Sequence, residues 1–279
     1  MNLSKNTLYI VSTPIGNLED ITLRAINILK NSDIILCEDT RRSLKLFNHL
    51  KINKKLISYH KFSERKKFLK IIEYLKEGKT LSLISDAGTP LLSDPGRLLL
   101  NECIRQKIQV IPIPGVSSIT AAMSISGFDD KFLFIGFLPK SDAEIEKVLK
   151  SLCEYNYSQI FFIPAIKINS FIKKFKQFFP GRKIMIGREL TKIHETFYRD
   201  EVDKIELFKK PVKGELTVII SDKKQKKNFI NTDKITHKAR KYLKKYSLKD
   251  TVDLIFEIEK VNKKEIYQIC LKVKNEKNL

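Results

Sequence analysis

Hydrophobic and polar positions alternate between two spacings over the first 127 residues. Short apolar runs at 8–11, 33–37, 55–59, 80–85 and 108–112 have the length and β-branched content of buried strands. Between them, stretches near 21–30, 41–50, 64–77, 95–106 and 117–126 repeat their apolar residues at helical spacing. Thr40 and Ser63 are placed to cap the helices that follow them, Gly78 to end one, and Pro95 to sit in a first helical turn. Strict strand–helix alternation predicts an α/β domain with a mainly parallel sheet.

The alternation restarts after Gly127-Phe128-Asp129-Asp130. Strands are expected near 132–137, 159–163, 183–187, 194–199 and 215–220, and helices near 141–152, 166–178 and 201–209. The remaining chain predicts two short helices. Ser247 with Asp250, and Asn262 with Glu265, have the spacing of a capping residue and an acid three positions on. Val252, Ile255 and Phe256, then Ile266, Ile269, Cys270 and Val273, fall on helical faces. The expected organisation is an α/β domain over 1–127, a second over 128–221, an interdomain cleft as the default ligand site, and a basic linker with a small helical tail over 222–279.

Composition changes this picture only in its charge. The formal net charge is +21, from 53 basic and 32 acidic residues. Such a balance points towards polyanions, because Lys and Arg neutralise phosphates and release counterions. Only 10 of the 53 are Arg, so a general drift towards lysine explains part of the total. Position says more: Asp222 to Lys249 holds 11 basic and two acidic residues, making that segment the polyanion candidate, with a solvated linker as the alternative. Cys37, Cys103, Cys153 and Cys270 lie far apart and form no ligand spacing with His49, His60, His194 or His237, so reduced thiols and no metal site are expected. No apolar run approaches the length of a membrane helix, and Met1 to Asn6 lead into the first strand without a signal-peptide pattern. The expected location is the cytoplasm, with no membrane partner.

Three loops carry the candidate chemistry, each directly after a predicted strand: Ser12-Thr13-Pro14-Ile15-Gly16-Asn17, Ser85-Asp86-Ala87-Gly88-Thr89-Pro90 and Ile113-Pro114-Gly115-Val116-Ser117-Ser118. In a parallel sheet such loops share the carboxyl edge, where α/β proteins bind ligands, so the three are expected to line one pocket. Their glycines permit sharp turns and close approach to a ligand, and their prolines fix the path. Asp86 or Glu38-Asp39 can accept hydrogen bonds from a ribose hydroxyl or an amino group. Neither G-x-G-x-x-G after the first strand nor a P-loop is present, so the usual dinucleotide and nucleotide-phosphate readings have no support.

Residues 8–42 (LYIVSTPIGNLEDITLRAINILKNSDIILCEDTRR), 85–96 (SDAGTPLLSDPG), 136–139 (GFLP) and 188–195 (RELTKIHE) carry a resemblance. The chain resembles the tetrapyrrole methylase superfamily and, within it, the bacterial branch that methylates a cytidine ribose of 16S rRNA. The similarity runs in register from about residue 7 to 273, tail included. It implies two α/β domains, S-adenosylmethionine (SAM) in the interdomain cleft, a homodimer, and 2′-O-methylation in the decoding region of the small ribosomal subunit. It assigns SAM contacts to Pro14, Gly16 and Asn17; to Asp86, Ala87, Gly88, Thr89 and Pro90; and to Pro114, Gly115, Ser117, Ser118 and Ala121. The chain departs from the family pattern in three places. Ile163-Pro164-Ala165-Ile166-Lys167 stands where an acid-Ser-x-His-Arg motif is usual, Ser141 to Glu146 is acidic where a basic cluster is common, and Val116 stands where Pro is common.

Methyl transfer to a ribose hydroxyl needs the oxygen aligned behind the methyl carbon and a base or cation to manage the developing alkoxide. Lys192 and Glu189 are the catalytic candidates, with His194, His60 and Asp39 as further titratable groups. Lys192 can act as a base only if its environment lowers its pKa. Arg41, Arg42, Lys167 and Arg188 are the RNA-binding candidates. Two other readings stay open: a methylase of a tetrapyrrole or other small molecule, and a non-catalytic RNA-binding protein that retains the cleft.

Overall fold

The structure, a computed structural model, describes residues 3–61, 63–223, 232–259 and 261–276, and the chain divides into two compact units, Met1–Lys223 and Lys224–Leu279. The first unit opens with β1 (Thr7–Val11), α1 (Leu23–Asn31), β2 (Ile34–Cys37), α2 (Thr40–His49), β3 (Lys55–Ser58), α3 (Glu64–Lys76), β4 (Leu81–Leu83), α4 (Arg97–Arg105), β5 (Gln109–Ile113) and α5 (Ser118–Ser124). Its five strands pair in parallel in the order β3-β2-β4-β1-β5. Strands buried on both faces explain the near-continuous apolar runs. Leu8, Ile10, Leu36 and Leu83 face one layer of helices, while Tyr9, Val11, Ile35 and Cys37 face the other.

Helix starts follow the local chemistry with small displacements from expectation. Thr22 Oγ1 accepts from Ala25 N–H at 3.0 Å to cap α1. At α2 the cap falls to Asp39, one residue before the expected Thr40, because its carboxylate accepts from Arg41 N–H at 2.9 Å. Ser63 holds the capping position of α3, but its hydroxyl accepts from His60 N–H instead of a helix amide. Pro95 lies just outside α4, whose first turn is capped by the buried Glu64 carboxylate, which accepts from Gly96 and Leu98 N–H at 3.1 and 2.9 Å.

The second sheet is built from β6 (Phe132–Phe137), β7 (Ser158–Pro164), β8 (Lys183–Arg188), β9 (Thr196–Glu201) and β10 (Glu215–Ile220), with α6 (Asp142–Leu152) and α7 (Ile168–Phe178). Its order is β6-β7-β10-β8-β9; only β6 and β7 are parallel, so the second half is a mixed sheet. The helix expected over 201–209 is absent. One turn forms, with Lys204 and Ile205 N–H donating to Glu201 O, and then Asn169 exchanges two 2.9 Å hydrogen bonds with the backbone of Phe208. Val202 and Ile205 still enter the core, which is why the apolar spacing resembled a helix.

That core centres on Phe161, Phe171, Phe175 and Phe179, with Phe175 ring centroids 5.3 to 6.0 Å from the other three. Phe175 is fully buried, so Phe175→Ala removes both transfer energy and packing. Urea denaturation of that variant is expected to show a loss of about 3–5 kcal/mol. Ile119 and Ala122 of α5 pack with Ile160, Met185 and Ile219 of the second sheet, which joins the two sheets around the cleft.

The second unit contains α8 (Thr232–Tyr242), α9 (Leu248–Glu259) and α10 (Lys263–Glu276), three helices where two were expected. α8 lies within the basic segment, where lysines masked the spacing of Ile235 and Ala239; residues 224–231 of that segment lie outside the described residues. Ser247 caps α9 as expected, its hydroxyl accepting from Asp250 N–H, but Asp250 Oδ2 accepts at 2.6 Å from that same hydroxyl instead of completing a capping box through the Ser247 amide. Ile235, Ala239, Val252, Ile255, Ile266, Cys270 and Val273 are the core, whereas Phe256 is 36% exposed. Among the described residues no helix is long and apolar enough to cross a membrane.

Candidate active site

Because β4, β1 and β5 are neighbours in a parallel sheet, the loops leaving them emerge side by side. They are tied together directly. Thr13 and Gly88 exchange backbone hydrogen bonds of 2.9 Å in an isolated antiparallel bridge. Ser12 Oγ and Thr89 Oγ1 lie 3.0 Å apart, and Thr89 Oγ1 donates to Val116 O at 3.2 Å, so hydroxyls link all three loops. Gly88 has φ +80°, and a Cβ there would stand 3.2 Å from Ile15 Cγ2. Gly115 is needed for a different reason, since its Cβ would fall 2.8 Å from Ser12 Cβ.

The second sheet supplies the facing wall. The segment after β8 is strained: Glu189 and Thr191 adopt φ of +52° and +65°, in the left-handed region that β-branched and other L residues rarely occupy. Thr191 Oγ1 accepts from Asn17 N–H at 3.0 Å, which fixes this segment to the first loop. Lys192 Nζ is held between Glu189 Oε1 and Glu215 Oε2, both at 3.0 Å, and Glu189 Oε1 also accepts from Glu215 N–H at 2.9 Å. Partial burial works against charge on Lys192, but its hydrogen bonds to Glu215 and Glu189 outweigh it and raise the pKa above the ordinary lysine value. Burial likewise opposes ionisation of Glu189, yet the Glu215 amide and Lys192 hold its pKa below normal. Both carboxylates thus favour the charged form of Lys192.

Between these walls lies a cavity of about 550 Å³, within the usual range for small-molecule sites. Of the sequence-derived cofactor candidates, Asp86, Ala87, Gly88, Thr89, Ser117 and Ser118 line it. Pro14, Gly16, Asn17, Pro90, Pro114, Gly115 and Ala121 do not reach its wall; they shape the loops behind it, with Gly16 packed against Lys192 and Thr191. Lys192 is on the wall, and Glu189 acts one step back through it. Arg42 also lines the cavity, 3.3 Å from Asp86 Oδ2. Arg41 instead turns back onto Asp39 at 2.7 Å, and hydrogen bonds from Arg41 lower the Asp39 carboxyl to about 2. Lys167 and Arg188 stand away from the cavity wall, Arg188 donating to Lys213 O at 2.9 Å.

Glu38, an acceptor candidate in the sequence, does line the cavity, whereas three other wall features escaped the sequence reading. Asp94 adds a carboxylate beside Glu38 and Asp86, and burial, reinforced by Glu38, lifts the Asp94 carboxyl to about 6. Burial and Asp86 also raise Glu38. Phe137 lines the cavity while 61% exposed, its ring 5.4 Å from that of Phe162. Leu190, Leu216 and Thr217 complete the apolar side. A turn signature, Ser93-Asp94-Pro95-Gly96, marked the Asp94 position, but it reads locally as helix-start punctuation.

A wholly parallel sheet whose glycine-bearing loops face a mixed sheet across such a cavity defines an α/β protein with a site suited to a polar small molecule. Comparison with known proteins narrows that class. Residues 7–206 match the tetrapyrrole (corrin/porphyrin) methylases. Ribosomal RNA small subunit methyltransferase I of Rickettsia prowazekii is 43% identical over 97% of this chain and 98% of its own length. The protein of the same name from Thermotoga maritima is 44% identical over 77% of this chain and 98% of its own. Among solved structures, uroporphyrin-III C-methyltransferase from Thermus thermophilus, complexed with S-adenosyl homocysteine, superposes with a TM-score of 0.55 at 15% identity, covering 76% of this chain and 96% of that one. The chain belongs to the tetrapyrrole methylase family and, within it, to the family of its full-length relatives, the ribosomal RNA small subunit methyltransferases I.

Proposed function

We propose that the protein transfers the methyl group of SAM to the 2′-hydroxyl of a cytidine ribose in the decoding region of 16S rRNA, within the small ribosomal subunit. One observation carries the reading: the 43% identity to the Rickettsia protein extends over 97% of this chain, tail included. The cavity fits the cofactor by its own chemistry. Gly88 leaves the second loop open to the cleft, the Ser117 and Ser118 hydroxyls and the Asp86 carboxylate offer polar partners, and Ile15, Leu190 and Leu216 suit the apolar parts of a nucleoside thioether. When bound, SAM supplies an electrophilic methyl on a positively charged sulfur.

The protein's own residues then have three tasks. The tied loops hold the cofactor face in place through the Thr13–Gly88 backbone pair and the hydroxyl links from Ser12 to Thr89 and from Thr89 to Val116 O. Lys192, kept charged by Glu189 and Glu215, stabilises negative charge developing on the attacking oxygen. Phe137 presents an open ring at the cavity wall on which a base of the acceptor can stack. Arg42, the exposed Lys167 and the basic tail supply phosphate contacts, and the enzyme works as a homodimer in the cytoplasm. Incubation with labelled SAM is expected to label small subunits from a strain lacking the modification and to leave large subunits unlabelled. Labelling of large subunits instead, or of tetrapyrroles alone, would refute the acceptor assignment.

A further inference from the structure

The hydroxyl that receives the methyl group also needs an acceptor for its proton. Lys192 is held protonated, and neither His60 nor His194 reaches the cavity wall. The ionisable groups that do are Glu38, Arg42, Asp86, Asp94, Lys192 and Glu215. Asp86 is engaged by Arg42 at 3.3 Å and by Asp39 N–H at 3.0 Å, and Glu215 by Lys192 at 3.0 Å. Among the described residues, only the Glu38 and Asp94 carboxylates on this wall have no ion-pair partner.

Asp94 is presented by a constrained backbone. It lies late in the 13-residue connection from β4 to α4 (84–96), where Leu91 and Ser93 are both left-handed, at φ +74° and +73°. Gly96 closes the connection at φ +120°, where a Cβ would stand 2.7 Å from Leu83 Cδ2. The buried Glu64 carboxylate holds the Gly96 and Leu98 amides from behind. Strain of this kind persists only where the surroundings fix it, and here it holds Asp94 on the cavity wall.

We infer that Asp94 is the catalytic residue that takes the proton of the attacking hydroxyl; this rests on the methyltransferase reading. As the oxygen–methyl bond forms, the carbon–sulfur bond breaks and its electron pair leaves on sulfur, which becomes a neutral thioether. The hydroxyl proton passes to the Asp94 carboxylate and is released to solvent once the products leave. The charged groups around Asp94 are Glu38 after β2, Asp86 after β4 and Arg42 on α2, with Lys192 across the cavity. Glu38 and Asp86 raise the Asp94 carboxyl, burial raises it most, and Ser85 lowers it, giving a base that ionises at about 6. A base poised near neutrality combines correct protonation with useful basicity.

The test is the single-turnover rate with saturating SAM and small subunits across about pH 5 to 9, for wild type, Asp94→Asn and Glu38→Gln. The wild-type rate is expected to rise with pH and level off above about 6. Asp94→Asn should lose this acid limb and about 100-fold or more in rate, with SAM affinity unchanged. Glu38→Gln should retain the limb and move it to lower pH, because a neighbouring negative charge is removed. An Asp94→Asn enzyme that keeps the limb overturns the assignment, as does one that loses SAM binding, which would make Asp94 a cofactor ligand. Wild type that transfers nothing at any pH strikes at the methyltransferase reading itself.

Discussion

Gly88→Arg is expected to weaken SAM binding severely while leaving the protein folded. Gly88 sits at φ +80° with its backbone locked to Thr13 and no room for a Cβ short of 3.2 Å from Ile15. A long charged side chain at that point is directed at Ile15 on the cavity wall and competes with the cofactor for that space. The dissociation constant of SAM is expected to rise about 100-fold or more, equivalent to about 2.7 kcal/mol. The left-handed backbone adds a stability cost of about 1–2 kcal/mol, visible as a lower Tm without loss of cooperative melting. Titration calorimetry and a thermal melt check both halves, and unchanged SAM affinity would refute the placement of the cofactor against the second loop.

Lys192→Met should lower kcat about 100-fold, or about 2.7 kcal/mol, the scale of removing one preorganised group at a developing oxyanion. SAM affinity should change little, because the loops of the first sheet keep their mutual hydrogen bonds. Lys192→Arg should recover part of the rate, since a cation can again sit between Glu189 and Glu215. The pH profile gives a second check. The Lys192 pKa is raised above its ordinary value, so the side chain is fully charged at neutral pH and loses its proton only above the usual lysine range. The wild-type rate should therefore show no decline from Lys192 between neutrality and about pH 9. A decline there that disappears in Lys192→Met would restore the lysine to the role of base.

The first sheet was legible because parallel strands buried on both faces must be apolar throughout, and β1, β2, β3, β4 and β5 each fall within two residues of the expected run at either end. The three loops were legible for the same reason: topology alone brings the carboxyl ends of β1, β4 and β5 together. Other features depend on partners distant in sequence. Whether 201–209 forms a helix is decided by Asn169, which takes the backbone of Phe208 into hydrogen bonds that no local pattern contains. α8 was hidden because its two buried residues, Ile235 and Ala239, are surrounded by basic side chains.

The site shows the same division. Lys192 stood out as a candidate, but its charge state is set by Glu215, 23 residues further on, through a hydrogen bond visible only after folding. Asp94 was inconspicuous because its chemistry comes from burial and from Glu38, supplied by a different strand. Pro14, Gly16, Pro114 and Gly115 shape the site without lining it, a distinction that a glycine- and proline-rich loop motif cannot express.

Transfer of labelled methyl from SAM to small subunits of a strain lacking the modification, followed by nuclease digestion and mass spectrometry, reads the proposed reaction at its product. A single 2′-O-methylcytidine in the decoding region of 16S rRNA is the expected result. SAM binding without any methylated nucleoside, or a methyl group found on a base instead of a ribose, would contradict it.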